Sequence, residues 1–169
     1  MIDKTYVTTM ASYNSWQNSW VLTAVGRLEP GERTTDRGLF FGSIQKTLSH
    51  LLWGDQMWLH RFAGTPLPDA SDIGRSSDMW SDWPIFVDER RRFDAVIEGW
   101  AADLDPAWLD GDLSWYSGSA KRELTRPRAL LVTHLFNHQT HHRGQVHAAL
   151  TGLGTVTEVT DLPFLPDEL

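Results

Sequence analysis

Along residues 5 to 28, Tyr6, Met10, Tyr13, Trp16, Trp20 and Ala24 recur at spacings of three and four, the period that gives an α-helix one apolar face. A second segment with this habit runs from Leu39 to Phe62 and stops at Ala63-Gly64-Thr65-Pro66. A third is opened by Asp82 as a cap and Pro84 in the first turn, and continues to about Ala102. A fourth opens around Thr125 and Pro127 and runs to about Leu150, where Thr151-Gly152-Leu153-Gly154 ends it. Four long amphipathic segments without a repeat, low-complexity tract or interdomain linker predict one domain over residues 1–169, an all-α four-helix bundle.

The connections carry turn chemistry. Glu29-Pro30-Gly31 breaks the first helix and GERTTDRG reads as loop. Residues 64 to 82 also have loop composition, and so long a connection often borders a functional site. Two short extended runs, LSWYS and RELT, flank Gly118-Ser119-Ala120 and predict a small β-hairpin before the last helix. The closing stretch TVTEVTDLPFLPDEL is expected to lay Leu162 and Phe164 on the bundle.

Composition narrows the functions available. A chain of 169 residues with 41% hydrophobic side chains can bury a sizeable core. Its formal charge of −7 argues against nucleic acid as a partner, since phosphate binding rests on Lys and Arg clusters. The only dense basic run, Glu89-Arg90-Arg91-Arg92, reads as a solvated helix face. With no cysteine, disulfides, thiolate-bound zinc and a thiol nucleophile of the chain's own are excluded. MIDKTYVTTM lacks a signal-peptide pattern and no apolar run reaches membrane-span length, so the expectation is a cytoplasmic protein without a membrane partner. Nine tryptophans serve mainly as core and interface fillers.

The stretch HLFNHQTHHRGQVH, residues 134 to 147, holds five of the seven histidines. At about 100° per residue, His138, His142 and His141 fall at about 40°, 80° and −20° from His134, while His147 falls at about 220°. Four histidines therefore share one stripe. Two histidines four residues apart can share one metal ion, and the stripe offers two such pairs, His134/His138 and His138/His142, with His138 in both. A third ligand must come from His50 or His60. His50 is the better placed, in mid-helix with Gly54 leaving space beside it for a metal and a substrate, whereas His60 sits near the helix end. His60, His141 and His147 otherwise read as ordinary hydrogen-bonded residues.

HLFNHQTHHRGQV resembles the N-H-x-x-H-H-R-G-Q signature of the DinB-like metalloenzyme superfamily. GSIQKTLSHLLWGDQMWLHR is similar to that family's Ser-Ile, His and W-x-D elements in order, and the hairpin and the closing DLPF segment are similar too. The resemblance implies metal ligands His50, His138 and His142, so that His142 rather than His134 completes the pair. It also implies an up-down-down-up bundle and a homodimer. Three neutral imidazoles with an open position suit zinc or nickel, with iron(II) as a further option. Asn137, Gln145 and Asp55 are candidates to hold the ligand rings. Arg143 reads as a salt-bridging residue, Gly144 as a close helix contact, and His141 as the candidate acid or base beside the metal.

Characterised relatives in that superfamily are thiol-dependent, so the resemblance implies an S-transferase of a small-molecule substrate, with bacillithiol, mycothiol or glutathione as co-substrate. Alternatives are a metal-dependent hydrolase and a non-catalytic metal-binding stress protein. Trp53, Met57, Trp16 or Trp20, and the 64 to 82 loop are the expected pocket walls.

Overall fold

The computed structural model describes residues 1–70 and 72–167. Four long helices dominate it: α1 (Lys4–Gly26), α3 (Ile44–Ala63), α4 (Trp83–Asp103) and α5 (Arg128–Gly152), with a short α2 (Pro30–Thr34) between the first two. Three of the four long helices start where a side chain satisfies a free backbone N–H group, while α5 follows directly on Pro127 without such a cap. Asp3, Ser43 and Asp82 accept from the backbone three residues on, and Pro84 stands in the first turn of α4. Gly64, at φ 68°, ends α3 in the left-handed conformation that glycine adopts without steric cost. An antiparallel hairpin, β1 (Asp112–Ser117) with β2 (Arg122–Pro127), precedes α5.

Contacts fix the directions of the helices. Gln45 reaches Ser81, Asp55 meets Arg90 and Phe62 stacks on Trp100, so α3 and α4 run parallel. Trp58 meets His134 and His50 meets His142, so α3 and α5 are antiparallel. Tyr6 packs on Phe136 and Trp20 on His147, so α1 and α5 are parallel. The bundle is therefore up-down-down-up, and the long 64–82 connection is what two successive parallel helices require.

One apolar core takes Val7, Val21 and Val25 from α1, Leu48, Leu52 and Leu59 from α3, Phe86 and Ile97 from α4, and Leu135, Phe136 and Leu150 from α5. Through it runs a buried polar chain. Asp55 accepts from Arg90 Nη1 at 2.7 Å and from Gln139 Nε2 at 3.1 Å. Arg90 Nη2 pairs with Asp94 at 2.8 Å, Asp94 accepts from Asn14 and Asn18, and Arg143 donates to Asn14. Two carboxylates and two guanidinium groups thus sit inside the bundle, with a member on every long helix.

Several expectations are corrected. The second long helix starts at Ile44, not Leu39, because Gly42 at φ 82° and the cap at Ser43 break the apolar run, and Leu39 to Gly42 closes as a tight turn. GERTTDRG is not all loop: Glu29 and Glu32 form a capping box around Pro30, which starts α2. Thr125 and Pro127 belong to β2, so α5 begins one residue later than Pro127. Leu162 and Phe164 are exposed, 40% and 64%. The tail is instead tied down through its backbone, by Tyr13 donating to Thr160 and Gln17 to Val159. Arg143 makes no ion pair within 4.0 Å of a described carboxylate; it bonds Asn14 and lies over the Tyr13 ring. Gly144 is exposed with open space around it, so close packing does not explain it.

Removing one partner from a buried ion pair leaves an uncompensated charge, at a cost of about 3–5 kcal/mol. Asp55→Ala is expected to lower the unfolding free energy of the chelator-treated protein, measured by urea titration, by that amount, whereas a loss under about 1 kcal/mol would show that Arg90 finds other partners.

Candidate metal centre

The antiparallel packing of α3 on α5 brings His50 against His138 and His142. Their ligand atoms all lie within 4.8 Å of one another, and His50 Nε2 stands 3.2 Å from His138 Nε2. Gly54 makes this approach possible: a Cβ there would fall 2.8 Å from His138 Cε1. The ring of His138 thus takes part of the space expected beside Gly54, and a cavity lined by His50 and Gly54 takes the rest.

The far sides of two rings are held by acceptors. Ser76 Oγ gives its one hydrogen to the Ile73 carbonyl, so toward His50 Nδ1, 2.8 Å away, it accepts. His50 therefore carries its proton on Nδ1 and turns a bare Nε2 to the cluster. Gln145 Oε1 accepts from His142 Nδ1 at 2.8 Å and sets the same tautomer there, while its Nε2 faces His141 Nε2 at 3.3 Å. His138 Nδ1 is buried without a partner. Burial, with the neighbouring imidazoles adding to it, lowers His50 to about 4 and His138 to about 3. Burial also lowers His142. At neutral pH His50 and His138 are uncharged, the state in which a histidine ligates.

This donor set fits a metal ion. Metal–nitrogen bonds of about 2.0–2.1 Å in a tetrahedral site separate neighbouring nitrogens by about 3.3–3.4 Å, close to the 3.2 Å between His50 and His138. With the His50 proton on Nδ1, so short a contact needs either a proton on His138 Nε2 or a cation between the rings. The three histidines could hold a metal ion.

Phe41 covers the cluster on one side. Its ring stacks on His50 at 4.0 Å and lies 5.6 Å from His142, presented by the turn in which Gly42 N donates to Leu39. On another side a cavity of about 510 Å³ opens, walled by Trp53, Gly54, Met57, Trp58, Trp115 and His134 together with His50 and His138. Asp72 and Ile73 bring the 64–82 connection to it. A slightly larger hollow, about 570 Å³, lies between that connection and α4 and is lined by none of the histidines.

Other expected residues fall elsewhere. His134 is on the cavity wall, its pKa lowered by burial and by Arg61. His141 is exposed, joined to Gln145, and does not line the cavity. Asp55 is committed to the bundle interior and Asn137 is exposed, so neither holds a ligand ring. Trp16 and Trp20 are absent from the cavity wall. His60 closes the end of α3 by bonding the Thr65 carbonyl, and His147 bonds Thr157. Ser76 and Phe41 were not foreseen. Their only sequence signals are membership of a long loop and an apolar pair before a glycine.

Comparison with known proteins gives a consistent picture. The sequence model of the DinB family matches residues 1–168. Protein DinB of Bacillus subtilis (strain 168) is 26% identical over 150 residues, covering 88% of this chain and 87% of that protein. The crystal structure of a DinB-like protein from Bacillus cereus ATCC 10987 superposes with a TM-score of 0.63 at 13% identity, over 85% of this chain and 90% of that one, a likeness of fold.

Ser76→Ala and Gln145→Ala remove the groups that orient two ligand rings, and each is expected to weaken zinc binding about 10–100-fold in competition with a chromophoric chelator. The pH dependence follows from the lowered histidines. Above the unfolded pKa of about 6.5 both states are neutral, and below it the unfolded chain takes up protons that the folded one refuses until pH reaches about 4 for His50 and about 3 for His138. Metal-free protein should therefore lose stability as pH falls from about 6.5 toward 4, by up to about 1.4 kcal/mol per pH unit for each proton. Burial raises Asp55 and Asp94, which act in the opposite direction, so the measurement is the slope in wild type minus the slope in His138→Ala. A difference of zero would refute the histidine origin.

Proposed function

The chain belongs to the DinB family, and on that premise we propose a metal-dependent S-transferase that joins a low-molecular-weight thiol to a small electrophile. His50, His138 and His142 would hold one divalent ion, zinc or nickel by ligand type, with iron(II) next. Such an ion, bound by three neutral imidazoles, supplies Lewis acidity to a further ligand and lowers the pKa of a thiol there.

One observation carries this reading: three imidazoles converge, two of them on the wall of a cavity that also presents three tryptophans, in a chain that has no cysteine. The sulfur must then arrive as a co-substrate. Ser76 and Gln145 hold the His50 and His142 rings with their bare nitrogens inward. Trp53, Met57, Trp58 and Trp115 exclude water from the reacting end and favour an apolar electrophile. In the transfer, a carbon–sulfur bond forms, the leaving group departs with its bonding pair, and the thiol proton is released.

Hydrolysis by the same three ligands is the second reading. It needs a base on the cavity wall, and the histidine that stands there is His134 rather than His141. The reading as a homodimer draws support from exposed apolar surface at Phe40 and Phe164, 79% and 64% accessible, and sedimentation equilibrium tests it.

Elemental analysis of the purified protein is expected to find about one divalent metal per chain, falling below about a tenth in His50→Ala and His138→Ala. Free-thiol consumption with a haloarene electrophile should drop about 10²-fold or more in both variants. Conjugation that persists in His138→Ala removes the proposal. Thiol-independent ester cleavage moves the assignment to hydrolysis. Metal uptake that raises only the melting temperature leaves a non-catalytic binder.

A further inference from the structure

Arg61 lines the same cavity as His50 and His138, roughly three turns further along α3. Its guanidinium lies over the Trp58 ring at 4.6 Å and 5.9 Å from the Trp115 ring, and those two indoles meet edge to face at 5.6 Å. The other sheltered arginines all have partners. Arg90 is held by Asp55 and Asp94, Arg143 by Asn14, and Arg33, Arg37 and Arg128 by backbone carbonyls. Among the described residues, Arg61 is the one half-buried arginine that meets neither a carboxylate nor a carbonyl. The single carboxylate on the cavity wall, Asp72, caps the turn at Arg75 N and lies beyond ion-pair distance of Arg61. Burial lowers the pKa of Arg61 with no anion to offset it.

A stacked guanidinium that keeps its planar fork free is pre-organised for a carboxylate. The opposite end of the cavity offers neutral imidazoles, and aromatic and thioether side chains stand between. We infer that the cavity binds an amphipathic organic carboxylate, its anionic group on Arg61, its apolar body against Trp58 and Trp115, and its other end at His50 and His138. This deepens the S-transfer reading by naming the class of one of its two substrates. It rests on that reading only for which end of the molecule reacts. The charge is what the site selects, so a neutral analogue of the same shape is the proper control.

The test is calorimetric titration of the full-length protein with 3-phenylpropanoate and with 3-phenylpropanamide, each with zinc added and again after chelation. Wild type should bind the carboxylate about tenfold more tightly than the amide, with or without zinc, since one charge-assisted bidentate contact contributes on that order. In Arg61→Met and Arg61→Gln the preference should shrink to about twofold or less. Either variant that keeps the wild-type circular dichroism and melting profile decides the matter. Equal affinities in wild type, undetectable binding of the carboxylate, or a preference that survives the loss of Arg61 would overturn the proposal. So would a preference that disappears on chelation, because the carboxylate would then be sitting on the ion. A carboxylate preference in a protein that takes up no metal would leave this site standing and remove the metal-dependent reading. Metal uptake without the preference does the reverse.

Discussion

The contact between Asp55 and Gln139 ties α3 to α5 inside the bundle, and the site is built on the residues next to it. Gly54 and His138 are the immediate chain neighbours of that pair, and they touch each other. The apolar core drives collapse, each buried Leu or Phe contributing about 1.5–3 kcal/mol, but smooth apolar faces can slide past one another. The charged chain from Asp55 through Arg90 and Asp94 to Asn14 and Arg143 cannot. A slip of one residue along α5 would turn Gln139 by about 100° and shift it by about 1.5 Å. Asp55 would then lose a partner where solvent cannot replace it, at a cost of about 1.5–3 kcal/mol, comparable to that of a whole buried apolar side chain. The same slip would carry His138 out of the gap at Gly54. Register and the geometry of the histidine cluster are thus one constraint.

The three rings are oriented by different means. His50 and His142 are steered by acceptors, Ser76 on the 64–82 connection and Gln145 one turn along the same helix. His138 has no such partner, and packing against Gly54 positions it instead. A hydrogen bond to the far nitrogen raises a ligand's basicity, so His50 and His142 are the better electron donors; they are also the more deeply buried, while His138 is half-buried. Because all three ligands are neutral, a bound divalent ion would keep its full charge, which favours an anionic fourth ligand over a neutral one.

Much of this was legible in the chain because helical periodicity is local. The four long segments, the cap at Asp82 with Pro84, and the hairpin around Gly118 need only neighbouring residues for their recognition. Spacing alone offered His138 with either His134 or His142, the family resemblance selected His142, and His50 was singled out by Gly54. What escaped depends on the path of the chain in space. Ser76 reaches His50 across 26 residues, and nothing in Arg75-Ser76-Ser77 marks one serine over the other. Phe41 looked like a continuation of the helical apolar pattern, whereas Gly42 at φ 82° places it in a turn over the cluster. Arg143 looked like a salt-bridging residue because the kind of partner cannot be read from charge, and its partner Asn14 lies at the other end of the sequence.

The charge distribution bears on what reaches the cavity. A formal charge of −7 sets a mild barrier to anions at long range, but salt screens exposed charges beyond about 8–10 Å. Selection then falls to the cavity itself. There a stacked guanidinium at one end faces uncharged imidazoles at the other, with indoles between them. Trp58 has a part in both halves, since its ring lies under Arg61 and against His134, whose own ring is 5.8 Å from that of His138. A molecule seated on Arg61 therefore orders the indole that packs against His134, and the cation end and the histidine end of the cavity are mechanically one surface.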